Sequence, residues 1–144
     1  MLNNIDNETT KKCLTIGRMA PDFTAITTEG TVTMSQYRGK WVLFFSHPGD
    51  FTPVCTSEFI SSALLYPEFE KRNVQLLGIS IDSNPAHLGW LYSIYEMTGL
   101  KMPFPLIADR NAYVSELYGM VNPDRIYEQS VRDVFIIDPN QRIR

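Results

Sequence analysis

Apolar and polar positions alternate between two periods along this chain, and the change of period marks its elements. Trp41-Val42-Leu43-Phe44-Phe45 is an unbroken apolar run of strand length and reads as a buried central strand. Past a polar interruption, Phe59, Ala63, Leu64 and Phe69 recur at roughly helical spacing. Val74–Ile81 is a second apolar strand, and Asp82-Ser83-Asn84 is a helix-start signal. The helix His87–Met97 then carries Leu88, Leu91, Tyr92 and Tyr95 on one stripe and is closed by Gly99. Pro103 and Pro105 leave room only for a brief strand, Leu106-Ile107-Ala108, before Asp109-Arg110-Asn111 caps a helix running through Val114 and Leu117 to Gly119. The polar loop Asn122–Ser130 leads into strand-like Val131–Ile137, and after the turn Asp138–Gln141 a return strand starts at Arg142-Ile143-Arg144. Ahead of all this, Phe23–Ile26 and Val32–Met34 flank Thr27–Thr31 as a hairpin, and polar Met1–Lys12 reads as a mobile arm. Strands alternating with helices predict an α/β domain over residues 13–144, with a mixed sheet because its last two strands form a hairpin.

The polar interruption carries the chemistry. In His47-Pro48-Gly49-Asp50-Phe51-Thr52-Pro53-Val54-Cys55, Pro53 suits a first helical turn because it needs no backbone N–H, and Thr52 is a natural N-cap. Cys55 then lies where free N–H groups and the helix dipole favour an anion. Bringing a thiol from a pKa of ~8.5 to ~6 takes about 3.4 kcal/mol. A helix N-terminus supplies ~0.3–1 kcal/mol, or up to ~2 when partly buried. A fixed cation is therefore expected near the sulfur. Arg38 and Lys40 sit at the wrong end of the central strand, and the best candidate is the distant Arg132.

Pro48-x-x-x-Thr52-x-x-Cys55 is similar to the active-site motif of peroxiredoxins, thiol peroxidases of the thioredoxin fold. The fuller His47 and Asp50-Phe51-Thr52-Pro53-Val54-Cys55-Thr56 resembles their 1-Cys and archaeal-type subgroup, and the likeness runs from Gly17 to Arg144. The resemblance implies a thioredoxin-like fold with an N-terminal hairpin extension. It also implies reduction of hydrogen peroxide or small alkyl hydroperoxides through a Cys55 sulfenic acid. Thr52 and the Cys55 N–H would hold the peroxide oxygens, Arg132 would polarise them, and Pro48 would shield the sulfur. Thr52 as a plain N-cap and Arg132 as an ordinary surface charge are the alternatives. Glu58, one helical turn beyond Cys55, either positions an arginine or is an exposed helix carboxylate. His47 is read as a hydrogen-bonding group of the pocket rather than an essential base. His87 is read as surface or packing, and Trp90, Tyr92 and Tyr95 as core or subunit contact. The family continues past the final hairpin with a covering helix, so a fragment, or a chain relying on a partner surface, is expected here.

Composition narrows the rest. A net charge of −3, with no basic run, argues against nucleic acid or an anionic membrane as partner. No apolar stretch approaches the ~20 residues that span a bilayer, and no signal-peptide pattern opens the chain. The cysteines are two, Cys13 and Cys55, in neither Cys-x-x-Cys nor zinc-like spacing, which suits a reducing, cytoplasmic compartment. Two histidines without clustered ligands make no case for a metal, and no cofactor is expected. Turnover needs a thiol: Cys13 as resolving cysteine, or thioredoxin or another external thiol. A homodimer or a ring of dimers is the expected assembly. The alternative function is a redox sensor or chaperone-like assembly in which Cys55 is oxidised without being recycled.

Overall fold

A computed structural model describes residues 14–122, 124 and 129–144. The arm Met1–Lys12 and Cys13 lie outside the described residues. The strands are β1 (Thr24–Thr27), β2 (Gly30–Thr33), β3 (Trp41–Ser46), β4 (Val74–Ser80), β5 (Leu106–Ala108) and β6 (Val134–Ile137). The helices are α1 (Pro53–Lys71), α2 (Asn84–Thr98) and α3 (Tyr113–Leu117). One sheet runs β2-β1-β5-β4-β3-β6; β3, β4 and β5 are parallel, and β1, β2 and β6 are antiparallel to their neighbours. This is the mixed sheet and N-terminal hairpin that the periodicity predicts. Among the described residues no helix is long and apolar enough to cross a membrane.

The two faces of the sheet are packed differently because successive strand residues point to opposite sides. Val42 and Phe44 of β3, with Leu77, Ile79 and Ile107, face a cluster that includes Phe23, Val114 and Tyr118. Tyr118 anchors that side: its ring meets Phe44 at 4.9 Å in an edge-to-face contact, and its hydroxyl donates to Pro21 O at 2.6 Å. Burial holds the Tyr118 phenol well above its ordinary pKa, so it stays a donor. Removing only that donor, in Tyr118→Phe, is expected to cost about 1 kcal/mol, read from the urea midpoint. The other face packs Leu43, Phe45 and Leu76 under α1 and α2, against Phe59, Trp90, Ile94 and Phe104, and Cys55 belongs to this cluster.

Four sequence expectations change. On α2 the buried stripe is His87, Trp90 and Ile94, whereas Leu88, Tyr92 and Tyr95 are exposed along an open groove of about 400 Å³. Leu64, placed on the buried side of α1 by spacing, is also exposed. The Asp109 segment does cap α3, but at a distance: its carboxylate accepts from Val114 N–H (3.1 Å) and Ser115 N–H (2.7 Å), while the N-cap position is Ala112, and the helix ends at Leu117. The last strand begins only at Val134, and the return segment makes single bridges, Ile143 to Ile137 and Arg142 to Met19.

Candidate active site

The chain leaves β3 at Ser46, crosses the loop 47–52 and enters α1 at Pro53. Pro53 takes the first helical position, and Thr52 sits at the N-cap with extended backbone (φ −94°, ψ 146°). The Thr52 side chain does not cap, however. Its Oγ1 donates backwards to Gly49 O at 2.8 Å, which closes the loop and leaves the hydroxyl lone pairs free to accept. Thr56 N–H is bonded to Thr52 O, so the amides ahead of it in the first turn, that of Cys55 included, precede the intrahelical ladder. Cys55 is 1% exposed beneath this turn. Pro48 is half-buried in the same loop.

Arg132 arrives from the other end of the chain. Pairing of Phe45 with Val134 brings the segment ahead of β6 to the end of β3 where α1 begins. The buried Ser46 then clamps both neighbours of Arg132: its hydroxyl donates to Val131 O and accepts from Asp133 N–H at 3.1 Å. So placed, Arg132 Nη2 donates to Cys55 Sγ at 3.3 Å. Its Nε lies 2.9 and 3.1 Å from the two Glu58 oxygens. The Glu58 hydrogen bond above all, then the charges of Glu58 and Cys55, hold the guanidinium above its ordinary pKa against its slight burial. Glu58 is thus at once an exposed helix carboxylate and a hydrogen-bond partner of Arg132. The pair is about 40% exposed on each side, which makes it a weak contributor to stability. Glu58→Ala is expected to leave unfolding within about 1 kcal/mol of wild type. Oxidation of Cys55 by peroxide should nonetheless slow on the order of tenfold through a misplaced guanidinium. Urea titration and stopped-flow kinetics separate the two effects.

His47 and His87 are both fully buried, and both bond to Asp50. His47 Nε2 is 2.7 Å from Asp50 Oδ1, and His87 Nδ1 is 2.6 Å from Oδ2. His47 is hydrogen-bonded to Asp50, and its Nδ1 is buried and unpaired among the described residues. Of the two readings of His87, surface is excluded and packing stands: it is fully buried, shares the Asp50 carboxylate and also bonds Ile107 O through Nε2 at 3.0 Å. Asp50 N–H donates to Asp82 Oδ2, which Ser80 also holds. Sequence spacing separates His47, Asp50 and Asp82, but the fold clusters them, and their polar atoms are spent largely on one another. Thr56 links the helices by accepting from Trp90 Nε1 at 3.1 Å. Phe51 adopts φ 60°, a left-handed backbone rare for a bulky residue, between the pinned Asp50 and Thr52.

Burial pulls the Asp50 carboxyl up, yet the hydrogen bonds and charges of His47 and His87 outweigh it and hold its pKa below the ordinary value. A depressed folded-state pKa contributes stability above the unfolded value and loses it as pH falls through the folded one. Asp50→Asn should therefore flatten the acid limb of the stability profile below about pH 4, measured as urea midpoints against pH.

The profile of the AhpC/TSA family matches residues 16–144. The chain belongs to this family. It is 54% identical over 129 residues to a peroxiredoxin 2 of Caldanaerobacter subterraneus subsp. tengcongensis, covering 90% of this chain and 58% of that protein. Among solved structures it resembles the peroxiredoxin 6 of Arenicola marina at 35% identity and a TM-score of 0.82, over 91% of this chain and 63% of that one. The yeast mitochondrial 1-Cys peroxiredoxin is similar at 38% identity and a TM-score of 0.79, over 91% and 65%. The fold is thioredoxin-like, as in these peroxiredoxin structures. The chain spans about three-fifths of the length of the curated relatives it matches.

Proposed function

We propose that this protein is a thiol-dependent peroxidase acting on hydrogen peroxide and small alkyl hydroperoxides. The observation that carries the reading is the donation from Arg132 Nη2 to Cys55 Sγ at 3.3 Å, at the first turn of a helix. A charged donor bonds a thiolate more strongly than a thiol, and the helix terminus adds to the same preference. The Cys55 thiolate attacks the nearer peroxide oxygen; an S–O bond forms, the O–O bond breaks, and the sulfur is oxidised by two electrons to sulfenic acid. The far oxygen leaves with the bonding pair and takes up a proton as water or alcohol. Arg132 and the Cys55 N–H are donors for the oxygen that gains charge, and Thr52 accepts from the peroxide hydroxyl because its own proton is committed to Gly49 O.

An external thiol attacks the sulfenic sulfur, expelling water and forming a mixed disulfide that a second thiol clears. The yeast mitochondrial 1-Cys peroxiredoxin has its thiol resolved via glutathione and thioredoxin systems, which supports the same class of reductant here. Cys13 is the other candidate for that step, and it lies outside the described residues. Cys55 is 1% exposed, so a thiol larger than peroxide reaches it only when the first turn of α1 opens. A cytoplasmic location and a homodimer complete the proposal; two cysteines in neither Cys-x-x-Cys nor zinc-like spacing support the first.

Rapid mixing of reduced protein with hydrogen peroxide, followed by mass spectrometry of Cys55, tests the chemical step. Fast sulfenic acid formation that is lost in Cys55→Ser supports it, and a rate no better than a free thiol overturns it. Repeated turnover with a thioredoxin system distinguishes an enzyme from a sensor oxidised once per chain.

A further inference from the structure

We infer that Trp90 and Thr56 are positioning residues for Thr52. Two hydrogen bonds in series, from the indole to the Thr56 hydroxyl and from there to the Thr52 carbonyl, fix the hydroxyl that meets the peroxide. That placement matters because, in the peroxidase reading on which this rests, Thr52 accepts from the substrate. Trp90 Nε1 can only donate, so at 3.1 Å the Thr56 hydroxyl oxygen accepts from it. The single Thr56 hydroxyl proton then goes to Thr52 O, 2.7 Å away. Thr52 O also accepts from Thr56 N–H at 3.0 Å.

The carbonyl is the handle by which this junction is held. Pro53 has no N–H, so Thr52 O is the sole polar atom of the peptide unit between the two residues. Thr52 keeps an extended backbone (φ −94°, ψ 146°) where Pro53 is already helical, and the two bonds from Thr56 set the peptide plane at that change. On its other side, Thr52 Oγ1 donates to Gly49 O at 2.8 Å, so a tilt of the plane swings the hydroxyl off its acceptor. A hydroxyl that bonds back to the carbonyl four residues earlier is common in helices. Ser57 bonds Pro53 O in this way and Ser62 bonds Glu58 O, both in exposed hydrogen bonds on the same helix. Thr56 differs because its oxygen is also held from α2. The indole that holds it is 1% exposed, with its ring centre 4.7 Å from Phe59 and 5.0 Å from His47, and such packing leaves it one orientation.

The test is a double-mutant cycle on the rate at which hydrogen peroxide oxidises Cys55 in the whole reduced chain. Thr56→Val, which keeps the shape and removes the hydroxyl, should slow oxidation about tenfold, and Thr56→Ser, which keeps the hydroxyl, should restore most of the rate. In a Thr52→Val background, Thr56→Val should cost less than about twofold, because the group it positions is gone. The full cost in that background, or an unchanged rate in Thr56→Val alone, overturns the proposal. Trp90→Phe should also slow oxidation, and Thr56→Val added to it should cost less than on its own; independent costs overturn the series of bonds. If Trp90→Phe does not fold, the threonine variants decide alone. Alkylation of Cys55 by iodoacetamide needs the thiolate but not Thr52, so it should not slow in Thr56→Val. A parallel fall would place the effect on the sulfur and overturn the proposal. Side-chain scalar couplings of Thr52 should report one rotamer in the unmodified protein and averaging in Thr56→Val. If the unmodified protein reacts with peroxide no faster than a free thiol, the peroxidase reading fails. The couplings still decide the positioning, since a Thr52 rotamer that ignores Thr56→Val overturns it and one that averages supports it.

Discussion

Replacing Arg132 with leucine is expected to slow oxidation of Cys55 by hydrogen peroxide about 100- to 1,000-fold, the scale of losing one preorganised donor to a developing oxyanion. The guanidinium is used at two points. Nε spans the Glu58 carboxylate, and Nη2 reaches the Cys55 sulfur at 3.3 Å. A planar fork holds both contacts at once, whereas a lysine ammonium is a single point on a flexible stem. Arg132→Lys should therefore recover only a small part of the loss. Urea stability should barely move in either variant, because the side chain is about 40% exposed and its ion pair is solvent-screened. Stopped-flow oxidation measured beside urea unfolding checks the pair of expectations. A large loss of stability would assign Arg132 a structural role, and an unchanged oxidation rate would remove it from the chemistry.

Arg132 also shows which part of the site is legible in the sequence. The shortfall between a helix terminus and the ionisation of a thiol calls for a cation, and the end of β3 from which the chain enters α1 eliminates Arg38 and Lys40. What sequence does not supply is the means of holding it. Ser46 looks like the polar end of an apolar strand, yet its hydroxyl bonds both neighbours of Arg132, across a separation of 85 residues at Val131. Such a contact follows from sheet register, which no local pattern encodes. Thr52 stands at the N-cap as its position suggests but makes a different bond, because an N-cap hydroxyl can turn either to the helix or back to the loop, and here Gly49 O takes it. The buried face of α2 departs from expectation for a different reason. The apolar stripe through Leu88, Leu91, Tyr92 and Tyr95 is real but lines a groove, while the buried face is His87, Trp90 and Ile94. Trp90 three residues after His87 is the available signal: a histidine in register with a fully buried tryptophan is itself buried, and a buried imidazole needs partners. Asp50 lies inside the cysteine motif without a role legible in sequence, because its partners come from α2 and from His47 together.

Phe59→Ala is expected to cost the fold about 3–5 kcal/mol, the usual range for emptying an aromatic core position. Phe59 is fully buried on α1, one turn past Cys55. Its ring centre lies 4.7 Å from Trp90, 4.9 Å from His47, 5.5 Å from Phe45 and 5.6 Å from Phe104. It therefore joins α1, α2, the strand β3 and the reactive loop in one contact. The space around it cannot collapse easily. Gly78 of β4 already sits so close that an added Cβ would lie 3.2 Å from the Phe59 ring and 3.0 Å from Leu106. A ring of that depth supports both the fold and the first turn that carries Cys55. Against a total stability of roughly 5–15 kcal/mol, the loss leaves a chain close to its unfolding limit. The melting temperature should fall by about 10–15 °C. Trp90 is 1% exposed against the Phe59 ring, and its fluorescence should report the cavity directly. Phe59→Leu, which keeps most of the volume, should recover more than half of the loss. An alanine variant that melted within a few degrees of the parent would mean that α1 is held on the sheet by other contacts. The site would then owe its geometry to the Asp50 network and Ser46 alone.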